Sequence, residues 1–282
     1  MSIVRRIGAH LSISGGVEKA VERAHEIGAN TLQVFSGSPR MWRRTALEKI
    51  DAELVKQTQK KLNVTPIFTH ALYLTNLASD NQELVAKSVQ ALKHDLKFDA
   101  HIGGAGVIVH LGSHQGRGFA AVQRQVAKKI KEILADTPRN SRLLIENAAS
   151  QNSKIGGRLE EITWLLKTIN SFRLGWCFDT CHGFAAGYSL TGKNKNNALA
   201  VMKDLDLFNF LECLHVNDSK DPLGSGRDRH ENIGNGKIPQ LALKQFLNDQ
   251  RLIKLPIITE VPGIDGHGPD AENIRRIKSL VK

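Results

Sequence analysis

Long apolar runs are absent from this chain of 282 residues. No stretch approaches the ~20 residues needed to cross a bilayer as a helix, so no membrane partner is expected. Cysteine is scarce. Cys177, Cys181 and Cys213 are the only three, too few for a disulfide framework and suggestive of a reducing compartment. Their spacing matches no usual metal or redox motif, so all three are expected as buried thiols. The opening Met1-Ser2-Ile3-Val4-Arg5-Arg6 lacks the apolar core and cleavage site of a secretory signal. A cytoplasmic location is therefore expected, nucleoid-associated if the source is bacterial. No linker, low-complexity segment or composition break divides the chain, and a single domain over residues 1–282 is expected. Acidic side chains are outnumbered: 28 Asp+Glu stand against 39 Lys+Arg, a net charge of +11. That excess favours a polyanionic partner without saying which one. With 41% hydrophobic and 24% charged residues, the composition is globular.

Short apolar runs alternate with helical patterns along the whole length. Eight runs read as strands: Ile3–Ala9, Thr31–Phe35, Thr65–Thr69, Gly106–His110, Arg142–Glu146, Leu174–Asp179, Leu211–Val216 and Leu255–Val261. They show little polar alternation, as expected of strands covered on both faces. Amphipathic stretches fall between them, at Gly16–Ile27, Gln82–Phe98, Ala120–Leu134, Leu159–Ile169, Leu241–Asn248 and Ala271–Leu280. Asn81 and Asp270 are placed to cap two of these helices. A strand–helix unit repeated eight times predicts an α/β fold, the (β/α)8 or TIM barrel. No GxGxxG follows the first run, which weighs against an open doubly wound sheet.

Barrel enzymes carry their chemistry at the C-terminal ends of the strands. Here those ends are unusually polar. Run three ends in His70, run four in His110, run five in Glu146 and run six in Asp179-Thr-Cys-His182. Run seven ends in His215 and is followed by Asp228-Arg-His230, and run eight ends in Glu260. Five imidazoles and four carboxylates converging on one mouth cannot remain as uncompensated charge. Divalent metal is the simplest remedy. Mixed His/Asp/Glu ligation suits Zn2+ and is also compatible with Mn2+ or Fe2+. Nine ligands exceed the needs of one ion and fit two or three, some bridged by a carboxylate. Of the other histidines, His25, His94 and His101 read as surface residues. His10 and His114 lie at the mouth end, where support of the ligands is an option, and His267 is uninformative.

Three blocks carry a family resemblance: Asp179-Thr-Cys-His-Gly-Phe-Ala-Ala-Gly-Tyr188, His215-Val-Asn-Asp-Ser-Lys220 and Gly226-Arg-Asp-Arg-His-Glu-Asn-Ile-Gly-Asn-Gly236. Together with Ile7-Gly-Ala-His-Leu-Ser12 and Gly15-Gly16, they resemble the endonuclease IV family of zinc-dependent apurinic/apyrimidinic (AP) endonucleases. The resemblance runs from about Ile7 to the C-terminus. It implies a TIM barrel with three zinc ions per chain. One ion would take His70 and His110 with Glu146 bridging. A second would take Glu146, Asp179, His215 and Glu260, and the third His182, Asp228 and His230. The sequence departs from the family's common pattern at Leu111, Ala148 and Val261 and carries Leu72 where Ser is frequent; none of these removes a ligand.

The resemblance also implies hydrolysis of the phosphodiester 5′ to an abasic site in double-stranded DNA. The products would be a 3′-hydroxyl and a 5′-deoxyribose phosphate, and blocked 3′ ends would be removed as well. Glu146 and Glu260 would be the catalytic carboxylates, with the Glu146-bridged pair holding a hydroxide nucleophile. An abasic nucleotide costs little to extrude because it has no base to unstack. Ser38-Pro-Arg-Met-Trp-Arg-Arg44 mixes cations with an aromatic, as a groove-entering loop would. Arg40, Trp42, Arg43, Tyr73 and Leu74 are the expected DNA contacts, and Arg44 and the Lys193–Asn197 loop are further candidates. Nothing in the sequence demands more than a monomer. Two rival readings remain: a divalent-metal sugar isomerase or epimerase on the same barrel, and a damage-binding protein with a silent site.

Overall fold

A computed structural model describes residues 4–192 and 195–282. Eight parallel strands close into a barrel: β1 (Ile7–His10), β2 (Thr31–Phe35), β3 (Ile67–His70), β4 (Val107–Val109), β5 (Leu143–Glu146), β6 (Leu174–Asp179), β7 (Leu211–His215) and, after a short ribbon, β10 (Ile257–Thr259). Neighbours in sequence are neighbours in the barrel, and β10 pairs with β1 to close it. The ribbon pairs β8 (Asp218–Ser219) with β9 (His230–Glu231), antiparallel, above the mouth. The expected strands are all present: β2 and β6 have the expected bounds, β3 is shifted to end at His70, and the other five are shorter at one or both ends. An apolar run outlasts the hydrogen-bonded ladder where the chain turns into a loop. The first expected strand begins at Ile7, and its Ile3 lies outside the described residues.

The helices are α1 (Val17–Glu26), α2 (Ala52–Leu62), α3 (Gln82–Ile102), α4 (Phe119–Ala135), α5 (Leu159–Ile169), α6 (Thr180–Ala185), α7 (Ala198–Asp204), α8 (Gln240–Leu247) and α9 (Ala271–Leu280). Asn81 and Asp270 cap α3 and α9 as expected, accepting from the amides of Leu84 and Asn273. Three helices escape the apolar periodicity. In α2 only Val55 is buried, and few apolar residues mark its inner face; Asp51 caps its start and Asn63 ends it in the left-handed region. The other two, α6 and α7, have six and seven residues, too short for a repeat to register. Asn197, which belonged to the expected basic loop, instead caps α7; Lys193 and Asn194 of that loop lie outside the described residues.

A strand's period of two divides its side chains between two apolar environments. Ile67, Val107, Val109, Leu143, Ile145, Trp176, Phe178 and Ile257 face outward into the large core under the helices. Phe68, Ile108, Leu144, Cys177, Cys213 and Ile258 form a separate buried cluster inside the barrel. Each of those six stands two residues before a candidate ligand: His70, His110, Glu146, Asp179, His215 and Glu260. The ligands are therefore the next layer up the same inward face, over a dry apolar floor.

Candidate metal centre at the barrel mouth

Glu146 occupies the middle of the mouth and is fully buried. Its Oε2 lies 3.1 Å from His70 Nε2 and 3.3 Å from His110 Nε2. Its Oε1 lies 3.0 Å from His215 Nδ1 and 3.2 Å from His182 Nδ1. Glu260 Oε2 is 3.4 Å from His215 Nδ1. On the other side, His182 Nε2 stands 2.9 Å from Asp228 Oδ1 and 3.3 Å from His230 Nε2. Asp179 Oδ2 lies between the two groups, 3.9 Å from His215 Nδ1 and 3.7 Å from His230 Nε2. All nine residues singled out in the sequence thus meet at one place. They fall into close sets of His70, His110 and Glu146, of Glu146, Asp179, His215 and Glu260, and of Asp179, His182 and His230. Asp228 reaches the last set through its contacts with both imidazoles.

These residues fit divalent metal on geometric grounds. Two donors ~2.0–2.1 Å from one zinc ion at the tetrahedral angle lie about 3.3 Å apart. The contacts of Glu146 with His70, His110 and His215 and of His182 with His230, at 3.1, 3.3, 3.0 and 3.3 Å, lie near that edge length, while those of Asp179 are longer. The approach of His182 Nε2 and His230 Nε2, two ring nitrogens facing each other, is what a shared cation would organise.

The second nitrogen of each ring fixes which one faces the centre. His70 Nδ1 donates to the Ala71 carbonyl at 2.7 Å and His182 Nδ1 to the Asn147 carbonyl at 3.1 Å, leaving Nε2 for a metal in both. His215 is reversed: its Nε2 donates to Gln33 Oε1 at 2.8 Å, so Nδ1 faces the carboxylates. His10 Nδ1 donates to Glu260 Oε1 at 2.8 Å, which settles its supporting role. His114 does not reach the ligands; its Nδ1 accepts from the Gly118 amide. His94 and His101, expected on the surface, are half-buried on α3 and hold the carbonyls of Thr45 and Ile50.

Three amides were missed in the sequence. Gln33 donates to Glu260 Oε1 at 2.6 Å while accepting from His215. Asn217 donates to Asp179 Oδ2 at 2.6 Å and accepts the Glu260 amide at 2.7 Å. Asn147 brackets the Asp179 backbone, accepting from its amide and donating to its carbonyl. The available signal was their position, beside or level with the ligands in otherwise apolar runs. Asp218 accepts the amides of Gly234 and Gly236 on Oδ2 and of Ile238 on Oδ1, shaping the segment that follows Asp228 and His230. A side chain on Gly236 would strike Asp218 Oδ1 at 2.3 Å, which explains that glycine. Lys154 was also missed. Its ammonium lies 3.3 Å from Asp228 Oδ2, the one Lys or Arg paired with a candidate ligand among the described residues. Three residues of its loop, Ser150, Asn152 and Ser153, adopt left-handed backbone angles to place it.

Imidazoles and carboxylates stabilise each other's charge across the mouth. Burial disfavours the charge on Glu146 and Glu260, but the surrounding imidazoles outweigh it and hold both well below the usual carboxylate range. Burial likewise opposes charge on His182 and His215. The carboxylates of Asp179, Asp228, Glu146 and Glu260 overcome it, raising both rings well above the ordinary histidine value. In His110 burial prevails and drives the ring down to about 4.

Beside the cluster opens a pocket of about 530 Å³ lined by His10, Phe35, Pro39, Tyr73, His230 and Glu260, among others. Tyr73 lines it and is 57% exposed, and the next residue, Leu74, is 37% exposed. Arg40 and Arg43 are exposed on the neighbouring loop. Trp42 is half-buried and shares a surface groove with α3. Arg44 departs from the expectation of a phosphate contact: its side chain is turned inward, 7% exposed. Leu111, Ala148 and Val261, the departures from the family pattern, are all buried, where they serve packing. The three cysteines are free and buried, as expected.

The fold and mouth together define a metal-binding TIM-barrel enzyme. A family model described as a xylose isomerase-like TIM barrel matches residues 21–280. The chain is 34% identical over 277 residues to a probable endonuclease 4 of Halothermothrix orenii, spanning 97% of this chain and 99% of that protein. A probable endonuclease 4 of Thermosipho melanesiensis is 37% identical over 263 residues, 92% of each chain. The crystal structure of endonuclease IV from Thermus thermophilus superposes with a TM-score of 0.84 at 36% identity, covering 98% of both chains. The chain belongs to the endonuclease IV family. A D-tagatose 3-epimerase-like protein shares the barrel with a TM-score of 0.73 but only 19% identity over 97% of this chain and 96% of that one, a likeness of fold alone.

Proposed function

We propose that this protein is a zinc-dependent AP endonuclease. It hydrolyses the phosphodiester 5′ to an abasic site in double-stranded DNA, leaving a 3′-hydroxyl and a 5′-deoxyribose phosphate, and it clears blocked 3′ ends. It acts as a cytoplasmic monomer carrying three zinc ions, held by the nine residues in the sets the resemblance implies. The observation that carries this reading is the cluster of nine imidazole and carboxylate side chains, eight of them in sets whose donor atoms lie within 4.8 Å of one another, beside a pocket lined by Tyr73.

Bound zinc supplies an acidified water as nucleophile and positive charge for the phosphoryl oxygens. The chain does the remainder. Glu146 uses both oxygens to tie the His70–His110 side of the site to the His215 side. Glu260 lines the pocket, and His10 and Gln33 fix its carboxylate there, so it is the group placed to orient the attacking water. His182, Asp228 and His230 hold the end of the site where the scissile phosphate and the departing 3′ oxygen are engaged. Tyr73 and Leu74 fill the gap in the duplex left by the extruded sugar, and Arg40, Trp42 and Arg43 hold the flanking backbone.

The test is an end-labelled duplex carrying one tetrahydrofuran abasic analogue. Nicking immediately 5′ to the analogue, abolished by chelation and restored by zinc, is the expected result. A zinc-replete protein that binds this duplex without cutting it would overturn the proposal. Glu260→Gln should abolish nicking while largely preserving DNA affinity; equal loss of both refutes the role given to Glu260.

A further inference from the structure

The segment between β2 and α2 projects Arg40, Met41 and Arg43 into solvent, yet its two stems are held by one helix, α3. At the first stem, buried Ser36 donates its hydroxyl to Asp95 Oδ1 at 2.5 Å. At the second, Arg44 Nε lies 3.8 Å from the same carboxylate oxygen, with both side chains under 10% exposed. One residue further on, the Thr45 carbonyl accepts from His94 Nε2 at 2.9 Å. Arg44 also straps the loop internally by donating to the Ser38 carbonyl. From beyond the loop, the Tyr73 amide donates to the Pro39 carbonyl, coupling the segment to the rim of the pocket.

A buried ion pair is a weak source of stability, because desolvation offsets the Coulombic gain. Here the pair is not even well saturated: Arg44 Nε and Nη2 and Asp95 Oδ2 are buried without hydrogen-bond partners among the described residues. Its justification must lie in position, because Asp95 is the single point where both ends of an otherwise exposed loop meet. We propose that Arg44 and Asp95 are positioning residues that pre-set the Gly37–Thr45 loop for the damaged duplex, so that binding does not have to order it. Arg40 and Arg43 at the tip then meet the backbone at little entropic cost. The proposal rests on the reading of this loop as a DNA contact.

Asp95→Asn keeps the acceptor for Ser36 but leaves Arg44 without a counter-charge. The expected result is a KM for the abasic duplex raised about fivefold to a hundredfold, the cost of ordering the two tip arginines on binding, with kcat within about threefold of the parent. Zinc content should be unchanged, because neither residue touches a ligand. A fluorescence readout follows the loop directly. Trp42 shares its groove with Arg44 and α3, so its emission, taken as the difference from Trp42→Phe, should shift red in the metal-loaded, DNA-free protein. Ser36→Ala, a milder cut at the other stem, should move both readouts the same way and serves if Asp95→Asn fails to fold. An unchanged Trp42 emission, or a shifted emission with unchanged KM, overturns the proposal. Arg40→Ala and Arg43→Ala are the separate control: if they leave KM unchanged, the reading of the loop as a DNA contact fails, whatever Asp95→Asn does to the emission.

Discussion

Loading the metal-free protein with zinc at pH 7 should expel about two protons per chain from its imidazoles. The number follows from the imidazoles around Glu146. In the metal-free mouth His182 and His215 are held protonated by the carboxylates that surround them, against the opposing effect of burial. The hydrogen bonds agree: His182 donates from Nδ1 to Asn147 and from Nε2 to Asp228, and His215 from Nδ1 to Glu146 and from Nε2 to Gln33. His70 is raised in the same sense, burial again opposing and the Glu146 contact prevailing. His110, at about 4, and His10, lowered by burial, carry none to release. Zinc takes only neutral imidazole, so each protonated ligand must lose its proton on binding. Ionisation of a bound water adds up to about one more. Affinity should therefore fall about tenfold, ~1.4 kcal/mol, per released proton for each unit drop in pH. Zinc titration followed by calorimetry in two buffers of different ionisation enthalpy counts the protons. Release of fewer than about one per chain at pH 7 would refute the assignment of charged rings, and with it the account of how the empty mouth balances its four carboxylates.

Other outcomes follow from the same geometry. Asn217→Ala removes the amide that holds both Asp179 and the Glu260 backbone; zinc affinity measured against a chelator should fall about 10–100-fold, and an unchanged affinity would show the amide to be dispensable. Lys154→Ala should reduce the salt slope of binding to an abasic duplex by about one and kcat/KM by roughly tenfold or more; an unchanged slope would mean that Lys154 serves Asp228 alone. Asp99 lies on the buried face of α3, where desolvation lifts its carboxyl to about 7 despite hydrogen bonds from Thr69 and Ser141. A carboxyl raised on folding contributes stability that is present below its unfolded value near 3.8 and is lost as pH rises through about 7. Asp99→Asn should therefore flatten the fall in denaturant-measured stability between pH 5 and pH 8, by ~2 kcal/mol or more; parallel curves for the two proteins would contradict this.

The nine candidate ligands were legible because two rules acted together. The barrel puts chemistry at strand C-termini, and each histidine or carboxylate ended an apolar run or lay in the segment just after one. Phe68-Thr-His70 and Leu144-Ile-Glu146 show the same step of two from floor to ligand, which any inward strand face must repeat. Arg44 was misread because its neighbours Arg40 and Arg43 look identical in composition; only the carboxylate of Asp95, 51 positions later in the chain, pulls it inward. Gln33, Asn147 and Asn217 were passed over for a similar reason. An amide in an apolar run has no role until the carboxylate it holds arrives from another strand.

Linear pattern was thus enough for the closed barrel and for the nine side chains that meet at one end of it. Each depends on spacing within one strand or on the count of repeating units, and spacing is local. What awaited the folded chain was everything set between strands. That includes which nitrogen of each ring faces the centre, why His10 belongs to Glu260, and where Lys154 and Arg44 point. Such partnerships join residues up to 250 positions apart, as His10 and Glu260 are. Closure of the sheet alone brings them within hydrogen-bonding distance, where burial makes each unpaired polar atom costly and so selects a single arrangement.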